Sequence, residues 1–338
     1  MIKGHGNNPY EIKTPIKIDF SSNIAFNNKS AAIFNHIKEE ISCLGNYPDP
    51  EATELKEKIA IHNNLSPHTI LITNGSAEAF YIVAHLTAAS HSAICIPSFA
   101  EYEDACRCYC HKIEYIHYHK IESEGLSGFD TIWIGNPNNP DGWITPPEVI
   151  YRLCRKYPKT LFVLDEAYIE LCNEKVVFSG EDGIPDNLII IRSLTKSFGI
   201  PGLRLGYIIA QKEIINSMEN NRPPWSVNSL ALKAGSFIID NYINLMPDIN
   251  ELCEESLLLQ KSLSGIEGIV VTPSKCNFFL AYSSKITSHI LKKRLIENCG
   301  ILIRDASNFR GLSTSHFRIA AQDRKNNIEL IKAIREVL

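Results

Sequence analysis

The sequence predicts an α/β protein: a mostly parallel central sheet with helices on both faces, plus a smaller α+β domain. Three observations carry this. Short apolar runs recur at 70–73, 93–96, 131–135, 161–164, 188–191 and 205–210, continuous rather than alternating, as strands buried on both faces are. Most gaps between them have helical character, and strands alternating with helices favour parallel pairing through crossovers. Beyond residue 250 the pattern changes to helices and short runs without that alternation. The expected division is a large domain at 30–250, with 1–29 and 251–338 forming the small one.

Taken in order, residues 1–30 are polar and rich in asparagine, with a strand-like piece at 16–20. His5-Gly6-Asn7-Asn8 reads, on residue physics alone, as a frayed terminus. Helical periodicity at 31–44 stops at Gly45, and Asn46-Tyr47-Pro48-Asp49-Pro50 makes a rigid turn before a Glu/Lys-rich helix at 52–62.

In sheets of this class ligands bind at the carboxyl ends of the strands, so the residues just past each run are the informative ones. After the first run comes Asn74-Gly75-Ser76, a turn into a helix at 77–86 whose leading N–H groups suit a phosphate. After the second, Phe99 offers a flat ring. The third ends in Asn136-Pro137-Asn138-Asn139-Pro140-Asp141-Gly142, the fourth in Asp165-Glu166-Ala167-Tyr168, and the fifth in Arg192 and Ser193 followed by Lys196. Arg204 comes after the breakers Pro201 and Gly202.

A lysine beside a second cation and poorly hydrated walls has a partly neutral amine, which carbonyl-attacking chemistry requires, and Ser193 with Arg204 suits a phosphate dianion. Singly, these residues read as a helix cap, a core aromatic, a turn, a strand-end acid and a solvated lysine. Together they place an anion cradle, a ring, amide donors, a carboxylate, a phenol and a lysine at consecutive strand ends. Ser193 to Lys196 also spells the S-x-x-K of serine acylases, but the S-D-N and K-T-G strings that reading requires do not occur.

Past Trp225 the sequence predicts a long helical stretch at 229–263, then runs at 269–271 and 278–281 and a helix at 288–298. Arg304 ends the run 301–303, and Arg318 sits inside the apolar strand pattern 316–320. An arginine so flanked is expected to be paired or ligand-facing.

Composition excludes several classes. The chain has 338 residues, 44% hydrophobic and 21% charged, the balance of an ordinary soluble globule. A formal net charge of −4 with interspersed signs proposes no nucleic-acid or anionic-membrane surface. No apolar run approaches the ~18 residues of a membrane span, and the polar opening MIKGHGNNPYEIK is unlike a signal peptide, so a cytoplasmic protein is expected. The ten cysteines are scattered and expected to be reduced. Cys106, Cys108 and Cys110 with His111, His117 and His119 invite zinc. Three alternating thiolates on one segment cannot be placed tetrahedrally, though, and no C-x-x-C pair supports them, so no metal is expected.

With these residues laid out, the chain resembles the pyridoxal 5′-phosphate enzymes of fold type I, the aspartate-aminotransferase fold, over nearly its whole length. The resemblance implies that Lys196 carries the cofactor and that Asp165 holds its pyridine nitrogen protonated. It gives Asn139 and Tyr168 as donors to the ring's phenolic oxygen, Phe99 as the stacking ring, and Gly75, Ser76, Ser193 and Arg204 as the phosphate cup. Tyr47 matches a tyrosine that reaches the neighbouring subunit's cofactor, implying a homodimer, and Arg318 an arginine that clamps the substrate α-carboxylate. Asp141 departs from the usual threonine.

Two branches share these motifs. Histidinol-phosphate aminotransferases have the Tyr47-Pro48 turn, the N-P-N-N-P string and both C-terminal arginines. Threonine-phosphate decarboxylases of cobalamin biosynthesis add an N-terminal H-G-G-N and a D-F-S-x-N-I segment. His5-Gly6-Asn7-Asn8 and Asp19-Phe20-Ser21-Ser22-Asn23-Ile24 are similar to that pair, as is Asn308-Phe309-Arg310-Gly311-Leu312 to its tail. The decarboxylase resemblance implies conversion of L-threonine O-3-phosphate to (R)-1-amino-2-propanol phosphate. His5, Gly6, Asn23 and Arg304 are then expected on the substrate phosphate and Arg318 on its carboxylate. The alternatives are transamination of histidinol phosphate or another amino acid, and a silent regulator that kept the fold, for which the chain has no basic DNA-reading helix.

Overall fold

The computed structural model describes residues 12, 14–25, 29–173 and 183–338. Its strands are β1 (Ile18–Asp19), β2 (Ile70–Thr73), β3 (His91–Ile96), β4 (Lys112–His117), β5 (Thr131–Gly135), β6 (Leu161–Asp165), β7 (Leu188–Ser193) and β8 (Gly206–Ile209), followed by β9 (Ile269–Val271), β10 (Phe278–Ser283), β11 (Ile301–Leu302), β12 (Arg304–Asp305) and β13 (His316–Ala320). Seven of them form one sheet in the order β2-β8-β7-β6-β5-β3-β4. Neighbours from β4 to β7 run parallel, and β8 runs antiparallel to both β7 and β2.

The continuous apolar runs are explained by two cores. Along β5, Ile132 and Ile134 enter one hydrophobic cluster while Trp133, between them, enters the other on the opposite face. Phe162 of β6 is fully buried, and truncating such a side chain to alanine costs about 3–5 kcal/mol.

Strand β4 was not among the predicted runs. Its sequence alternates, with Lys112 and His117 exposed, because it is the sheet edge, where charges also discourage pairing with other chains.

The predicted helix 229–263 is three: Ser229–Asp240, Tyr242–Leu245 and Ile249–Ser264. Asn241 ends the first, its amide donating to the Phe237 carbonyl at 2.9 Å. Pro247 interrupts before Asp248 restarts the chain by accepting from the Glu251 N–H at 3.1 Å. The stretch 31–44 shortens likewise to Ser30–Glu39 and a 3₁₀ turn at Ile41–Gly45, and 288–298 becomes Ser288–Arg294 followed by a π turn.

The second sheet is antiparallel, β12-β13-β10-β9, and β1 pairs in parallel with β11, Ile18 opposite Ile301. The run 301–303 and the Arg304 that ends it are therefore not one strand. The first two residues pair with β1 and, past Ile303, Arg304 and Asp305 join β13.

The segment after β1 threads between the two sheets. The Phe20 N–H donates to Leu302 at 2.8 Å, the Phe20 carbonyl accepts from Ala320 at 2.9 Å, and the Ala25 N–H donates to the Lys196 carbonyl at 2.9 Å.

Candidate active site

The carboxyl ends of the parallel strands face β12 and β13 across a cleft of about 140 Å³ whose lining includes Asn23, Phe99, Asn139, Tyr168, Lys196, Arg304 and Arg318. Lys196 sits on the single helical turn Leu194–Ser197 that comes after β7, capped by the Ser193 hydroxyl, which accepts from the Thr195 N–H at 3.3 Å. Burial, Arg204 and Arg318 depress its amine to about 8, Asp165 opposing them. Its neutral fraction at neutral pH is therefore substantial, as nucleophilic chemistry at a carbonyl needs.

Asp165 ends β6, buried, and accepts from the Tyr102 hydroxyl at 2.5 Å and the Ala167 N–H at 3.0 Å. Burial pushes it up to about 6 against those two donors and Lys196. It is thus a carboxylate held in apolar surroundings, one that a cationic partner would return to the ionised form. Tyr102 was missed as a site residue. Its place one helical turn beyond Phe99, on the helix Ala100–Cys108, was the available signal.

Asn139 and Tyr168 line the same cleft as Lys196. The Asn139 Oδ1 accepts from Arg318 Nη1 at 2.5 Å, which orients the amide and leaves its Nδ2 as donor. Tyr168 is packed edge-on against Phe278 at 5.0 Å, its phenol raised to about 12 chiefly by burial.

The anion cradle forms at the start of the helix Gly75–Leu86, whose cap residue Asn74 makes no side-chain bond to the first turn. Gly75 has φ +78°, and a Cβ there would lie 2.5 Å from Arg204 Nη2, so the guanidinium rests directly over this turn. Arg204 itself takes a left-handed backbone at φ 56°, a strained state for a residue with a long side chain, and donates to the Pro201 carbonyl at 3.2 Å. Ser76 and Ser193 border the same place: a Cβ on Gly206, which pairs with Ser193, would meet the Ser76 N at 2.9 Å.

On the opposite wall Arg318 also donates through Nη2 to the Ser21 carbonyl at 2.6 Å. Arg304 donates to the Asn308 Oδ1 at 2.8 Å and to the Asp305 carbonyl, and its guanidinium lies 5.2 Å from the Phe309 ring centre. Asn23 is buried beside Tyr168, and its amide's contact with the phenol lowers that group against the effect of burial.

The structure therefore brings together Gly75, Ser76, Ser193 and Arg204 in one corner and Phe99, Asn139, Tyr168, Lys196, Arg304, Arg318 and Asn23 around the cleft. Asp165 lies beneath through Tyr102. Tyr47 is elsewhere, 84% exposed and tilted against Trp225 at 5.2 Å. His5 and Gly6 lie outside the described residues. Of the residues that invited zinc, Cys106 is buried, Cys108 and Cys110 are exposed, and the His111 ring bonds Ser92 Oγ at 2.6 Å.

Asp141, where a threonine was expected, lies inside the Asn139 turn. It accepts from Asn138 Nδ2 at 2.8 Å, the Trp143 N–H at 3.1 Å and the Tyr118 hydroxyl at 2.5 Å.

A family model described as aminotransferase class I and II matches residues 15–334. The crystal structure of L-threonine-O-3-phosphate decarboxylase from Porphyromonas gingivalis superposes with a TM-score of 0.91 at 37% identity, over 94% of this chain and 98% of that one. The threonine-phosphate decarboxylase of Salmonella typhimurium is 28% identical over 99% of this chain and 96% of its own. A histidinol-phosphate aminotransferase of Caldanaerobacter subterraneus is 31% identical over 86% of this chain and 84% of its own.

Proposed function

The chain belongs to the aminotransferase class I and II family, and from that premise we propose that it decarboxylates L-threonine O-3-phosphate to (R)-1-amino-2-propanol phosphate for cobalamin biosynthesis. The observation that carries the reading is the pair Arg304 and Arg318, two buried guanidiniums that line the cleft together with Asn23. A substrate with a carboxylate and a phosphate carries one anion for each.

The chain is a pyridoxal 5′-phosphate enzyme. The residues present fit that group. Gly75 leaves room for an anion under Arg204, which any Cβ would fill, and the buried Asp165 carboxylate suits a protonated ring nitrogen. In this reading Lys196 holds the cofactor, Asp165 its ring nitrogen, Asn139 and Tyr168 its phenolic oxygen, Phe99 its face, and Gly75, Ser76, Ser193 and Arg204 its phosphate. When bound, the cofactor supplies an electron sink for the bonds of the substrate α-carbon.

The chain's own residues act through their chemistry. Arg318, held by Asn139 and Ser21, grips the carboxylate bidentately, and Arg304 with Asn23, His5 and Gly6 grips the phosphate, so the α-carbon cannot rotate between them. Lys196, whose amine titrates near 8, holds or delivers a proton at the α-carbon. Tyr168 donates from its hydroxyl while remaining neutral.

The site is proposed to lie between a large domain (30–250) and a small one (1–29 and 251–338), in a homodimer where the exposed Tyr47 reaches the partner's cofactor phosphate. No described helix is long and apolar enough to cross a membrane, and a cytoplasmic location is part of the proposal.

The test is carbon dioxide release from L-threonine O-3-phosphate with no keto acid added. Amino transfer from histidinol phosphate to 2-oxoglutarate instead is the outcome that gives the same two arginines the aminotransferase role.

A further inference from the structure

A second charged cluster lies beside this cleft, at a small neighbouring pocket that shares Phe99, Ala100, Asn308 and Phe309 with it. Glu103 lies in the first turn of the helix Ala100–Cys108, beside Phe99, Ala100 and Tyr102, which line the cleft or hold Asp165. Its carboxylate is almost wholly buried, and it accepts both Arg310 Nη2 at 2.9 Å and Arg310 Nε at 3.1 Å, the bidentate fork geometry. Arg107, four residues along the helix, pairs with the same carboxylate at 2.7 Å. The Arg310 guanidinium also lies over the Tyr115 ring of β4, 4.1 Å from its centre. Burial tends to raise the Glu103 carboxyl, but Arg310, Arg107 and Tyr115 hold it below its ordinary value, so it stays ionised and paired.

Arg310 comes from the connection between β12 and β13, on the other sheet. In that connection Asn308 accepts from Arg304, and Phe309 supplies the ring under the Arg304 guanidinium. A two-pronged ion pair thus ties the loop that positions Arg304 to the helix that begins at the cofactor-side wall. Neither Glu103 nor Arg310 lines the cleft.

We propose that the Glu103–Arg310 pair is a clasp beside the cleft that sets Arg304 over the substrate's second anion, making Arg310 a positioning residue for selection of phosphorylated amino acids. This deepens the reading above and rests on its assignment of Arg304 to phosphate. A flexible loop would pay for ordering at each binding event, and the fixed clasp removes that part of the cost. The surface-facing half of the pair is expected to be worth little in stability, because Arg310 is 45% exposed. Its effect belongs to ligand selection.

The experiment titrates cofactor-loaded wild type, Arg310→Gln, Glu103→Gln, the double variant and Arg310→Lys calorimetrically with L-threonine O-3-phosphate, inorganic phosphate and unphosphorylated L-threonine, with KM and kcat measured alongside. The expected result is about tenfold weaker binding of both phosphorylated ligands in either single Gln variant, the size of one lost charged contact. L-threonine binding stays within about twofold, since it carries no second anion for Arg304, and with the phosphorylated substrate the loss shows in KM more than in kcat. The double variant is no worse than the singles, because the two act as one unit, and Arg310→Lys recovers part of the loss.

Phosphate binding equal to wild type in Arg310→Gln overturns the clasp. So does an equal loss for threonine and phosphothreonine, which marks a general structural defect. Wild type that binds phosphothreonine but releases no carbon dioxide sinks the decarboxylase reading alone, with the clasp still decided by the titration. Wild type that binds no phosphorylated ligand overturns both.

Discussion

Arg304 on β12 and Arg318 on β13 are directly opposite one another in the antiparallel register, both buried, and neither makes an ion pair among the described residues. Like charges so placed destabilise a sheet. Burial and Arg318 push the Arg304 guanidinium below its ordinary value, and burial does the same to Arg318. The strand pair holds a repulsion that an anion bound between the two guanidiniums would relieve.

Anions should therefore stabilise the folded protein. A ligand present at about a hundred times its Kd adds about 2.7 kcal/mol, so saturating L-threonine O-3-phosphate should raise the melting temperature by several degrees. Arg304→Met should lose most of that rise and lower kcat/KM by about 10- to 150-fold, the range for a charged hydrogen bond. Scanning calorimetry with and without ligand decides it, and an undiminished shift in the variant refutes the assignment.

Asp165 makes stability depend on pH. Its folded pKa of about 6 lies above the ~3.9 of an unfolded aspartate, so folding favours the protonated form. The stabilisation is complete below about pH 4 and is lost as pH rises through about 6. Cofactor-free Asp165→Asn should then be the more stable protein above pH 6, by up to about 3 kcal/mol, with the gap closing near pH 4. Urea melts of the two proteins at both ends of that window measure it. Turnover of the variant should fall by about 10²-fold or more.

The Lys196 amine reacts only when neutral. With its pKa at about 8, the rate at which cofactor-free protein captures pyridoxal phosphate should climb with pH, with a midpoint there, and then level off. Stopped-flow absorbance gives the profile. Lys196→Ala should show no visible band that borohydride bleaches, and a flat profile in wild type counts against the depressed amine.

Gly75→Ala puts a methyl 2.5 Å from Arg204 Nη2 at a backbone angle of φ +78°. The left-handed angle alone costs about 1–2 kcal/mol, and displacing the guanidinium should weaken cofactor binding about 10- to 100-fold. Gly45→Ala, with open space around its Cβ, is the matched control and should bind normally. Equilibrium dialysis compares them.

Much of the fold was legible because β5, β6 and β7 are buried on both faces, which leaves an uninterrupted apolar string. β4 was not, since an edge strand alternates and carries charge. The residues at strand ends were legible because turn chemistry and charge mark them in the letters themselves. The partners they use were not. Asn139 and Arg318 are 179 residues apart, the facing of Arg304 and Arg318 depends on a register that sequence does not state, and the Ser21 atom that holds Arg318 is a backbone carbonyl with no residue signature. Tyr102 was hidden for a similar reason, a buried aromatic whose hydroxyl finds Asp165 only once helix and sheet are packed.

The leading segment is stitched at Phe20 to β11 and β13, at Ser21 to Arg318 and at Ala25 to the Lys196 turn. A substitution in this segment therefore reaches the Arg318 guanidinium and the Lys196 turn through the backbone itself. A purification handle is better placed at the other end, behind the helix Arg324–Val337, which shares none of these bonds.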